Sequence, residues 1–173
     1  ICNNLGGVVY AREDYDSAIK YYERALTINT QVFDEQHENI AINLGNLGSA
    51  WKKKRGFTKA IDYYNKALQI ELDRYGEMHP TVATTYDNLG GALRGKGEFE
   101  EALRFKEKAL EISRKLFGED HENIAICFNG IAKTYEAMEE YEQAIAFFEK
   151  TLLVNTKLHG GIDLNVGRAY QNL

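Results

Sequence analysis

The chain has 173 residues, with 21 Lys and Arg against 26 Asp and Glu, for a net charge of −5 and a pI near 5.5. That balance argues against a nucleic-acid partner, which normally demands a basic face, and no run reaches the roughly 18 apolar residues of a membrane span. The only cysteines are Cys2 and Cys127, which reads as reduced core thiols rather than a disulfide framework.

A partial helix is expected first, over 1–12, where Asn4 Leu5 Gly6 opens a pattern that the rest of the chain repeats. A second helix is expected over 15–32: Tyr15 stands three residues before Ala18, and Ile19 stands seven before Leu26. The spacing keeps one helical face apolar. The next pair is expected over 38–54, carrying Asn46 Leu47 Gly48, and 57–74, carrying Phe57, Ala60, Ile61 and Leu68. It is followed by 80–96, with Asn88 Leu89 Gly90, and 99–116, with Phe99, Ala102, Leu103 and Leu110. Then come 122–138, where the triplet weakens to Gly130 Ile131 Ala132, and 141–158, with Tyr141, Ala144, Ile145 and Leu152. A last partial helix, 164–173, ends on Asn172 Leu173. No strand pattern competes. The period is 42 residues throughout, and fixed periods of this size mean stacked helical units that bury their apolar faces only against neighbours. Because the chain begins inside one such helix and stops inside another, it is expected to be a window on a longer array.

Helix starts follow the same period. Pro80, the only proline, falls where a first helical residue belongs, since its fixed φ suits that place and its missing N–H would be unpaired anyway. His79 is then the cap, and His37, His121 and Asp163 are its equivalents. Three histidines suggest a metal site only until the repeat spacing is considered. Equivalent positions lie on the order of 20 Å apart, far beyond a zinc bond. The same reasoning separates Cys2 from Cys127, three repeats apart.

The segment Gly76 Glu77 Met78 His79 Pro80 Thr81 Val82 Ala83, followed by Asp87 Asn88 Leu89 Gly90, resembles the tetratricopeptide family, in the 42-residue variety of kinesin light chains. Trp51 and Tyr135 occupy that family's aromatic position in the first helix of a repeat, helix A, and Tyr22, Tyr64 and Phe148 its aromatic position in the second, helix B. Two departures stand out: Glu38, Glu122 and Leu164 replace the linker proline, and Lys106 replaces the third helix B aromatic. The resemblance implies an all-α fold, a right-handed superhelical solenoid of antiparallel helix pairs. Its repeats would be approximately 1–37, 38–79, 80–121 and 122–163, with 164–173 opening a fifth. It also implies a concave groove lined by A helices that receives a peptide or helix of a partner protein.

The groove candidates in the first half are Asn4, Gly7, Asn46, Ser49, Lys52 and Lys53; those in the second are Asp87, Asn88, Gly91, Arg94, Asn129 and Lys133. Gly7, Ser49 and Gly91 would form a shallow floor, edged by Asn4, Asn46 and Asn88, on which an extended backbone can exchange hydrogen bonds. Lys52, Lys53, Arg94 and Lys133 against Asp87 and Glu136 leave a surplus of two positive charges. A groove more positive than its protein favours an acidic or mixed segment. The cations of Lys52 Lys53 Lys54 Arg55 are also accounted for by the negative end of a helix dipole. The family's carboxylate clamp for chaperone C-termini would need Lys, Asn, Asn, Lys and Arg where this chain has Asn3, Gly7, Asn46, Thr84 and Asn88. Only Asn46 fits, so a chaperone tail is not the expected ligand.

No Ser, Cys or His arrangement supports nucleophilic catalysis, and neither an enzymatic activity nor a cofactor is expected. The expected function is a protein-interaction scaffold, with a cytoplasmic location implied by analogy alone. Two alternatives stay open. One is structural self-assembly through the terminal helices, and the other a regulatory or sensor array joined to a catalytic domain outside these residues.

Overall fold

In the computed structural model, which describes residues 1–34 and 36–159, every element is a helix. In chain order these are α1 (Cys2–Ala11), α2 (Tyr15–Val32), α3 (Glu38–Lys53), α4 (Phe57–Tyr75), α5 (Pro80–Lys96), α6 (Phe99–Phe117), α7 (Glu122–Ala137) and α8 (Tyr141–His159). Each bound lies within one residue of its expected place. The ninth expected helix, 164–173, and its cap Asp163 lie outside the described residues.

The chain divides into two compact units, Ile1–Glu77 and Met78–Leu173. In the first, α1 packs on α2, α2 on α3 and α3 on α4; in the second, α5 packs on α6, α6 on α7 and α7 on α8, and α5 also meets α7.

The helix ends show why the bounds were readable. His37, His79 and His121 cap α3, α5 and α7, and in each the imidazole Nδ1 accepts the backbone N–H two residues on, from Asn39, Thr81 and Asn123, at 3.2 Å. One of the first-turn N–H groups that lack an intrahelical partner is thereby satisfied in each helix. At the other end of the A helices, Glu13, Arg55, Gly97 and Glu139 all turn left-handed, with φ of 61°, 62°, 91° and 62°. The next residue's N–H then reaches back to a carbonyl in the last helical turn, as Asp14 does to Val9 and Gly56 to Trp51. The chain reverses within a few residues, and the two helices of a pair are brought face to face.

Packing inside the first two pairs is a ring against a missing side chain. Ala18, Ala60 and Ala102 are fully buried and Ala144 nearly so, which lets the B helices approach. Tyr22 and Tyr64, both buried, then lie against the A-helix glycines. A Cβ on Gly6 would sit 2.5 Å from the Tyr22 ring, and one on Gly48 2.6 Å from that of Tyr64. Gly45, three residues from Gly48 on the same helix, has nothing within 4 Å of such a Cβ.

The two glycines of α3 therefore have opposite expected responses. Gly45→Ala should stabilise the protein by about 0.5–1 kcal/mol through helix propensity alone. Gly48→Ala should destabilise it by about 1–3 kcal/mol, because the methyl group overpacks the Tyr64 ring. Denaturant midpoints that move the same way for both would refute this assignment.

Candidate protein-interaction surface

Along each A helix, residues three, four and seven apart share a face. On α3 that spacing joins Ile42, Gly45, Asn46, Ser49, Lys52 and Lys53; on α5, Thr84, Asp87, Asn88, Gly91 and Arg94; on α7, Ile126, Asn129, Gly130, Lys133 and Glu136. All of these are exposed or half-buried, whereas the opposite faces hold fully buried Leu47, Ala50, Leu89, Ala92 and Ala132. The candidates thus fall on two surfaces, one in each unit.

In the first unit, Asn46 Nδ2 donates to Asn3 Oδ1 at 2.9 Å and so ties α3 to α1. The ladder partner of Asn46 is Asn3 and not Asn4, which is exposed. Ser49 Oγ pairs with the Tyr64 hydroxyl at 3.0 Å, so the floor is fixed from beneath by a helix B side chain. Gly7 is half-buried, and a Cβ there would only graze the Tyr22 hydroxyl, 3.9 Å away. The run of four cations is divided among different tasks. Lys54 pairs with Asp16 of α2, the Lys52 ammonium lies over the Tyr64 ring at 5.6 Å, and Lys53 is exposed.

In the second unit, Asp87 is engaged: its Oδ1 accepts from Lys106 Nζ at 2.7 Å. Lys106 is 4% exposed and belongs to α6, a helix B. Asn88, Gly91, Asn129 and Lys133 are half-buried on α5 and α7, with Glu136 exposed. Arg94 is half-buried too, not a fully exposed helix end. Burial pulls its guanidinium down from the ordinary arginine value, against the supporting charges of Asp87 and Glu136.

Asn3, Ile42, Ile126 and Lys106 also contribute to these faces, and the sequence alone does not mark them as doing so. Asn3 lies one position before the equivalent of Asn46, so a ladder of equivalent positions points to Asn4 and misses it. Ile42 and Ile126, 48% and 50% exposed, give these faces an apolar element. Lys106 was legible as a departure from the aromatic position but not as a member of the A-helix face.

The buried thiol Cys127 contacts Ser113 at 3.9 Å. Burial, aided by the charge of Asp87, pushes its pKa up to about 11, and a thiol so protonated is a poor nucleophile. Cys2 is half-buried rather than a core thiol. Among the described residues no cluster of metal-ligating side chains occurs, and no helix is long and apolar enough to cross a membrane.

The sequence matches the family model for the tetratricopeptide repeat over residues 2–73, 50–115 and 81–157. No curated protein matches it. Among solved structures it is similar to BtubC (BKLC) from P. vanneervenii, at 24% identity and a TM-score of 0.78, over 97% of this chain and 70% of that one. It is also similar to a putative kinesin light chain with nearly identical TPR-like repeats from Podosopora anserina, at 16% identity and a TM-score of 0.78, over 99% of this chain and 84% of that one. A third is a Rap protein complexed with competence and sporulation factor, at 19% identity and a TM-score of 0.80, where 99% of this chain covers 45% of the other. At these identities the likeness establishes the all-α repeat fold.

Proposed function

We propose that this chain, which belongs to the tetratricopeptide repeat family, is a protein-interaction scaffold whose A-helix faces receive a segment of a partner protein. The observation that carries the reading is the contrast between the faces of α3: one is packed shut, and the other holds amides and cations over a glycine-lightened floor. Asn46, Ser49 and the Lys52 region are fixed by side chains beneath or beside them, so little ordering is left to do on binding. The cations favour an acidic or mixed segment, and the Rap complex shows a neighbour of this fold holding a factor.

The test is a panel of labelled peptides of graded acidity, measured by fluorescence anisotropy at low and high salt. Asn46→Ala and Asn88→Ala should each weaken the best binders by about 0.5–1.5 kcal/mol at either salt. Lys52→Gln should weaken binding chiefly at low salt. A panel bound equally by wild type and all three variants, or by neither, would overturn the reading.

A further inference from the structure

Position 106 is where the repeats stop being equivalent. Tyr22 and Tyr64 fill this slot in the first unit, and Phe148 fills it on α8. Lys106 fills it on α6 with its hydrocarbon stem: a Cβ on Gly90 would meet Lys106 Cγ at 2.8 Å and Cδ at 3.1 Å. Where the Tyr64 ring ends in a hydroxyl on Ser49, the lysine continues to an ammonium on the A-helix face. There its Nζ lies 2.7 Å from where a Gly130 Cβ would be and 2.7 Å from Asp87 Oδ1. Two repeats separate Asn46 from Gly130 and Asn3 from Asp87. In the first unit an amide of α3 donates to α1; in the second, Gly130 has no side chain, and Lys106 delivers the donor to α5 from below. Stability does not ask for this, since a buried ion pair is commonly no better than a well-packed apolar residue in its place.

We propose that Lys106 is a positioning residue that holds Asp87 on the second unit's A-helix face as a fixed acceptor for a main-chain N–H of an extended partner segment. This rests on the groove reading above and names the partner's conformation within it. The Asp87 side chain is 25% exposed, with one oxygen taken by Lys106. A carboxylate has further lone pairs and only accepts, so whatever meets it must donate. A cationic side chain is disfavoured, because Lys106, Arg94 and Lys133 already outnumber Asp87 and Glu136 on and beneath this face. Interior N–H groups of a helix are paired within the helix, so a docked helix has no main-chain donor to offer along its length. An extended strand has one at every second residue on the facing side, and Gly91 places no side chain in its path.

The experiment takes a peptide that binds wild type in the anisotropy panel and scans it by methylating one backbone nitrogen at a time. Wild type should show one position where methylation weakens binding roughly tenfold more than its neighbours, the scale of a hydrogen bond to a charged group. In Lys106→Tyr, which places in the slot the ring that Tyr22 and Tyr64 place there, this excess should shrink to about twofold or less, with the melting temperature unchanged or raised. Lys106→Met, which keeps the stem, replaces it should the tyrosine variant misfold. An identical scan in wild type and variant overturns the role of Lys106, as does a uniform scan or tighter binding by a helix-stapled peptide. A peptide whose binding ignores Asn46→Ala and Asn88→Ala, or a panel without binders, removes the groove reading itself.

Discussion

Ala60→Arg is expected to unfold the chain or to lower its stability by more than about 4 kcal/mol, the range reached when a charge is forced unpaired into a core. Ala60 is fully buried in the first turn of α4, where that helix closes on α3. Its neighbour pair shows what the position requires: Ala18 stands in the same place on α2, within a cluster of Ile19, Tyr22, Leu47 and Ala50. A guanidinium inserted between two helices at that separation has neither room nor a carboxylate. Since typical domains are stable by about 5–15 kcal/mol, one such substitution removes much of the margin. Asn65→Arg, exposed on the same helix, is the control and should change stability by less than about 0.5 kcal/mol. A thermal melt of Ala60→Arg that overlays the wild type would show that the register of the repeats is misassigned.

That register is legible in the sequence because it repeats. A single Ala three residues after an aromatic says little. Tyr15 with Ala18, Phe57 with Ala60, Phe99 with Ala102 and Tyr141 with Ala144 say the same thing at one period, and only a recurring helix contact requires it. Pro80 and the histidine caps fix where helices start for equally local reasons. What repetition conceals is any feature that depends on the offset between neighbouring helices or on a break in the pattern. Asn46 bonds to Asn3, 43 residues away and not 42, so drawing the ladder between equivalent positions chose Asn4 instead. Arg94 reads from its position as an exposed helix end, yet burial disfavours its charge while Asp87 and Glu136 support it. Lys106 reads as degeneration of an aromatic site. Nothing in the sequence tells that its stem can lie in the glycine slot of Gly90 while its charge emerges on the other side.

That arrangement has a stability signature independent of any partner. Asp87→Ala leaves the Lys106 ammonium, 5% exposed, without its counter-charge. Breaking a buried pair this way costs roughly 3–5 kcal/mol when both ions are fully buried. Because the Asp87 side chain is 25% exposed, water reaches part of the site, and a loss of about 2–3 kcal/mol is expected instead. Lys106→Met keeps the stem over Gly90 and discards the charge, leaving behind a carboxylate that can turn to water; it should be within about 1 kcal/mol of wild type in either direction. The double variant Asp87→Ala with Lys106→Met should then be clearly more stable than Asp87→Ala alone. Its coupling energy of about 1–3 kcal/mol would be read from the four denaturant midpoints of the cycle. The asymmetry is the diagnostic result: one partner is dispensable to the fold and the other is not, because only the lysine is buried. Additive effects of the two substitutions would mean that the charges do not interact, and the pair could then neither orient Asp87 nor distinguish the second unit's face from the first.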